Sequence, residues 1–190
     1  MKASFASIKS KIALSRVLSY FIMTGICSLL IAQIETGQEY ELKAAFIYHF
    51  TKYIQWSYSD TSGTFEIAII GDSNIIDPLK EIAQQKLVKD RRIKIKHFQD
   101  IEDINKCHIL FIPASEVNQL DKILQRVKKE NILTISDSKG FANKGVAINF
   151  VLVKEKIKFE INSRALERAG LQASSQLQKL AILVEEEEKQ

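Results

Sequence analysis

The sequence predicts an α/β fold: a three-layer, mainly parallel sheet of βαβ units with a C-terminal antiparallel hairpin and helices on both faces. Two observations carry this prediction. Between residues 65 and 137, short apolar runs alternate with segments of helical periodicity, which is the pattern of βαβ units. After Gly140, two strand-like runs stand only Lys154-Glu155 apart, a spacing that makes a β-hairpin. The 190 residues suffice for one domain with a proper core, and 46% hydrophobic content with only 2 Pro and 7 Gly suits a chain rich in regular structure.

The elements follow in order. From Tyr40 to Trp56, Leu42, Ala45, Phe46, His49, Phe50 and Tyr53 recur at the spacing of an amphipathic helix. Phe65 to Ile70 is apolar except for Glu66 and reads as the first strand. Asp77 before Pro78 signals a helix start, with Leu79, Ile82, Ala83 and Leu87 lining one side. "RIKIKHF" alternates strictly, with lysine at every second position, as on an edge or solvated strand. "HILFIP" has the unbroken apolar character of a strand covered on both faces. Ser115 is placed to cap a helix carrying Val117, Leu120, Leu124 and Val127, and "ILTISD" is another buried strand. "VAINFVLV" and "KIKFEIN" form the hairpin, and a short helix runs from Ser163 to a stop at Gly170. Ser175 and Gln178 have capping-box spacing before a last helix with Leu177, Leu180, Ala181 and Val184 inward. Residues 185–190 form an acidic tail.

The formal charge of +4 is a property of one end. Lys2, Lys9, Lys11 and Arg16 lie in the first 32 residues, which contain no acid; the rest carries 23 basic against 23 acidic residues. A neutral domain has no electrostatic footprint for a phosphate backbone, so no nucleic-acid partner is expected. The four charges precede "VLSYFIMTGICSLLIA", an uncharged run from Val17 to Ala32. A basic stretch before a short apolar one reads as a cleaved secretory signal over residues 1–32. The run is just short of the ~18–20 apolar residues that span a membrane, so an N-terminal anchor is the competing reading. Leu30 and Ile26 stand where signal and lipoprotein cleavage usually ask for small residues. Residues 40–184 form a single expected domain. Cys27 belongs to the apolar segment, which leaves Cys107 an unpaired thiol in the mature chain and excludes a cysteine-rich metal site.

The stretch "TFEIAIIGDSN" places Ser73 at a strand end, where hydrolases of the GDSL type carry a nucleophile. Such a serine needs a histidine base and a group that orients it. The histidines are His49, His97 and His108, and the residues three before them are Phe46, Lys94 and Asn105, so the Asp-x-x-His block of those enzymes is absent. Gly71-Asp72-Ser73-Asn74 is not the glycine pattern of a dinucleotide site, and Walker, zincin and paired-cysteine zinc motifs are missing as well. No enzyme activity, cofactor or metal is therefore expected. His49 reads as a core histidine and His97 as half exposed on its strand. Neighbouring Cys107 and His108 point to opposite faces and make a poor nucleophile pair. In open parallel sheets, ligands gather beyond the carboxyl ends of the strands. Those ends carry Gly71, Asp72, Ser73 and Ser136, Asp137, Ser138, candidates for a small polar ligand and equally good turn residues.

Several blocks, read together, resemble the YfiR family of exported bacterial regulators. They are "ELKAAFIYHFTKYIQW", "KCHILFIP", "ILTISDSKGFANKGVAINFV" and "KIKFEINSRALERAGLQASSQLQKLA", and they span about Tyr40 to Val184. The resemblance implies a periplasmic α/β protein without known catalysis. Its best-understood members repress a membrane-bound diguanylate cyclase through that enzyme's periplasmic sensing region, and an outer-membrane lipoprotein relieves the repression. Other members stand beside, or fused to, sensor kinases. The implied partner is thus a membrane signalling protein, with a homodimer as a further option. Members with a disulfide place one cysteine three residues before the glycine of the first strand and bond it to the Cys-His cysteine. Here those positions are Ala68 and Cys107, so that bond is lost. A periplasmic small-ligand binding protein is the alternative.

Overall fold

The computed structural model describes residues 37–56, 63–128 and 130–185. The expected signal segment, residues 1–32, lies outside the described residues, as does all of the acidic tail beyond residue 185. Helix α1 covers residues 37–53. It is followed by β1 (Ile54–Trp56), β2 (Phe65–Ile70), α2 (Ile76–Gln85), β3 (Leu87–Val88), β4 (Arg91–Phe98), β5 (Ile109–Ile112) and α3 (Leu120–Arg126). The chain continues with β6 (Leu133–Ser136), β7 (Ile148–Val153), β8 (Lys156–Asn162), α4 (Ser163–Arg168), β9 (Leu171–Ala173), α5 (Ser175–Leu180) and β10 (Ile182–Val184). Short 3-10 turns precede β5 and α3, at Ile101–Asp103 and Ala114–Gln119.

Eight strands form one sheet in the order β10-β8-β7-β6-β5-β2-β4-β3. Neighbours from β4 through β2, β5 and β6 to β7 are parallel, and β7 and β8 form the antiparallel hairpin. Its two-residue turn holds Lys154 and Glu155 at φ of 49° and 61°. Both central residues are left-handed, as a turn matched to strand twist requires, although neither is glycine. The side chains of β2 alternate between two cores. Ile67 and Ile69 face α1, α2, α4 and α5, while Ala68 and Ile70 face α3 and Phe141. Ile109 and Phe111 of β5 repeat the first orientation, and Leu110 and Ile112 the second. Central strands buried on both faces need apolar residues at every position, which explains the uninterrupted runs in the sequence.

The structure rotates α1 by about one residue from the stripe that periodicity selects. Lys43, Ala44, Ile47, Phe50 and Thr51 are buried, whereas Leu42, His49 and Tyr53 face outward. His49 is therefore exposed and not a core histidine. Apolar residues occupy much of this helix's circumference, so tertiary contacts choose the face. One is the aromatic cluster in which Phe50 meets Phe159 edge-on at 5.1 Å and Phe150 at 5.9 Å. Such pairs add about 0.5–1.5 kcal/mol beyond their burial.

Other boundaries shift by a residue or an element. Helix α2 begins before Asp77, which lies in its first turn and pairs with Lys80 in solvent, and Leu87 is exposed on β3. Ser115 lies inside the 3-10 turn, and α3 begins at Leu120 with Ile123 and Val127 buried and Val117 exposed. Asn162 caps α4 by accepting the Ala165 N–H, and Gly170 adopts φ +66° just past the helix. The cap of α5 is Ser174, one residue before the expected serine, and the helix stops at Leu180 with that side chain 70% exposed. Ile182 to Val184 then pair with Glu160 to Asn162 as a parallel edge strand instead of prolonging the helix. Trp56 lies on β1, which pairs antiparallel with β9.

Candidate functional site

The chain leaves β2 toward β4 on one side of the sheet and returns to β5 on the other, so strand order reverses between β2 and β5. The carboxyl ends of these two strands form the crevice where an open α/β sheet places a ligand. Gly71 follows β2 at φ +67°, with its N–H donated to Phe98 O at 2.9 Å. A side chain added at Gly71 would put its Cβ 2.2 Å from Glu116 Oε1. The crevice is thus occupied by the protein's own carboxylate, which Ser115 Oγ and Gln119 Nε2 approach at 3.4 and 3.2 Å.

Asp72 is 91% exposed by side chain and lies 3.8 Å from His97 Nε2. That nitrogen donates to Gly71 O at 2.9 Å, which ties the end of β4 to the turn. Ser73 Oγ accepts the Ile75 N–H at 3.4 Å, and Ser73 O accepts the Ile76 N–H, so this serine shapes the entry to α2. No histidine contacts Ser73 among the described residues.

The second triplet ends β6, one strand beyond β5. Ser136 Oγ donates to Ile112 O at 2.6 Å and accepts the Ser138 N–H at 3.3 Å, closing a buried turn. Among the described residues, Ser138 Oγ is buried without a hydrogen-bond partner. Asp137 accepts from Lys43 Nζ at 2.7 Å, with both side chains only 6% exposed. The same ammonium lies 4.5 Å from the ring centre of Tyr40, within cation–π range. The ion pair pins α1 to the carboxyl edge of the sheet. A charge withdrawn from water in this way must be matched, because an unmatched one costs several kcal/mol.

The two triplets therefore share one edge of the sheet. Their polar atoms mostly serve turns, an ion pair and a strand-end contact. Sequence reading missed Lys43 and Glu116. A lysine next to Ala44 on the buried side of an amphipathic helix is a signal for Lys43, but its partner lies 94 positions away. No local pattern marks Glu116.

Cys107 is buried as a free thiol against the core that contains Ala68 and Leu110. Burial pushes its pKa up to about 12, with Lys96 opposing the shift and Glu66 adding to it. A thiol held in its neutral form is a poor nucleophile. Lys96 pairs with Glu66 at 2.6 Å and donates to Lys106 O at 2.7 Å, which fixes the segment leading into β5. His108 turns away from Cys107 to stack on Phe65 with ring centres 4.5 Å apart. Its Nδ1 accepts the Glu66 N–H at 3.0 Å, and Arg91 Nη2 lies 3.1 Å from Nε2. Burial and then the neighbouring Arg91 charge lower the His108 pKa to about 4, so the ring is neutral at neutral pH. Among the described residues, no helix is long and apolar enough to cross a membrane, and no cluster of three metal-ligating side chains forms.

Comparison with curated proteins finds no match. The YfiR/HmsC-like family profile matches residues 40–182. The chain belongs to the YfiR/HmsC-like family.

Proposed function

We propose that this protein is a non-catalytic periplasmic regulator that binds and restrains the periplasmic sensing region of a membrane signalling protein, a diguanylate cyclase or a sensor kinase. The family match over residues 40–182 carries this reading. The geometry supports it, because the polar groups at the carboxyl edge serve the fold. Gly71 is backed by Glu116, Asp137 by Lys43, and Ser73 by a backbone amide. Recognition then falls to surface rather than to a reaction centre.

Restraint of this kind is a difference in affinity. The regulator must bind the inactive partner more tightly than the active one, and a ratio of about 10⁴ moves a two-state equilibrium from 1:99 to 99:1. An outer-membrane lipoprotein that competes for the regulator would release the partner by mass action. Export of the chain by a cleaved N-terminal signal is part of the same proposal.

The test is capture of partners by the C-terminally tagged chain from detergent-solubilised membranes of its own organism, together with cyclic di-GMP measurement after deletion of the gene. Recovery of a diguanylate cyclase with a rise in cyclic di-GMP, or of a sensor kinase with a changed phosphorylation state, is the expected result. A folded bait that recovers neither, with unchanged signalling output in the deletion strain, would refute the proposal.

A further inference from the structure

We propose that the cleft between α3 and α4 binds a small amphipathic carboxylate, at the end of the sheet opposite to Gly71 and Asp137. The cleft has a volume of about 380 Å³ and opens beyond the amino ends of β6 and β7. That volume is within the range of small-molecule sites, which combine an apolar lining with a few placed polar groups. Leu124 and Val127 of α3, Ile132 before β6 and Ala165 of α4 supply the apolar wall.

The polar groups are mainly donors. Lys128, Lys144 and Arg168 line the cleft, against the single acid Asp121. The carboxyl ends of α3 and α4 also point here, each carrying at most about half a negative charge. Three cations against one carboxylate and two helix ends leave a net positive site. Thr134 adds a buried donor: its Oγ1 accepts the Ala147 N–H at 3.0 Å, so the hydroxyl proton remains for an acceptor in the cleft. The residue is 5% exposed, and a hydroxyl withdrawn from water gains from such an acceptor. A carboxylate can accept from Thr134 and the surrounding cations while its apolar body lies on Leu124 and Val127.

The probes are 4-phenylbutyrate, its neutral amide and inorganic phosphate, titrated into the 15N-labelled chain and followed by amide chemical shifts. We expect 4-phenylbutyrate to shift Gly145, Ala165 and Ala169 saturably, with a Kd on the order of 1 mM or tighter. The amide and phosphate should each bind at least tenfold more weakly, since each lacks one half of the match. The exposed pair Lys144→Gln and Arg168→Gln should weaken 4-phenylbutyrate at least tenfold while amide shifts away from the cleft keep the folded pattern. Lack of saturable shifts at these amides, equal binding of the amide or phosphate, or unchanged affinity in the double variant would each overturn the proposal.

Discussion

Replacing Asp137 by asparagine removes one half of the ion pair that holds α1 to the sheet. At 2.7 Å, the attraction in a medium of effective dielectric 20 is about 6 kcal/mol. Desolvation of the two ions consumes several kcal/mol each, so the intact pair is close to neutral against a well-packed apolar pair. Loss of one partner is different, because the buried Lys43 then loses the carboxylate to which its ammonium donates at 2.7 Å. The expected cost is about 3–5 kcal/mol. For a domain of this size, about 2–4 °C per kcal/mol applies, so the thermal midpoint should fall by roughly 6–20 °C. Lys43→Met should be similarly costly, since it strands the carboxylate. The double variant Lys43→Met with Asp137→Leu should recover most of the loss. Urea unfolding of the wild type, Lys43→Met, Asp137→Leu and the double variant closes a cycle whose coupling energy isolates the pair. Single costs below about 1 kcal/mol that simply add in the double variant would refute the reasoning, because the charges would then be solvated.

Gly71→Ala should destabilise by roughly 1–3 kcal/mol in urea, since alanine is strained at φ +67° and its Cβ meets Glu116; adding Glu116→Ala should restore only the steric part. The Cys107 thiol should fail to react with Ellman's reagent at pH 8 in the folded chain and react at once in denaturant, because burial holds its pKa near 12. His108 should make the fold acid-sensitive: its folded pKa of about 4 lies below the unfolded value of 6.5, so the unfolded chain takes up the proton first. This contribution is complete above about pH 6.5 and is lost as pH falls toward 4. Screening at a half-exposed ring limits it to roughly 1–2 kcal/mol. Urea midpoints of wild type and His108→Gln should diverge across that interval, and parallel midpoints would exclude the histidine as the cause.

The candidate site was legible only in part. Gly71 and Asp137 were visible as residues at strand ends, because an apolar run broken by Gly-Asp-Ser or Ser-Asp-Ser signals a turn whatever surrounds it. Their roles were not visible. Whether Asp137 meets solvent, a ligand or Lys43 depends on a helix 94 positions away. The carboxyl crevice looked open in sequence because Glu116, which fills it against Gly71, belongs to a 3-10 turn without a marked pattern.

The sequence by itself determined the alternation of strands and helices, the doubly buried central strands and the hairpin at Lys154-Glu155. These rest on side-chain periods and turn chemistry, which act between residues close in the chain. Tertiary structure decided which face of α1 is buried, since that helix is apolar over much of its circumference and the aromatic cluster and ion pair select one orientation. It also decided that Ile182 to Val184 are a strand. The three apolar residues fit either state locally, and the backbone partners that β8 offers at Glu160 to Asn162 are reached only after the chain has folded back.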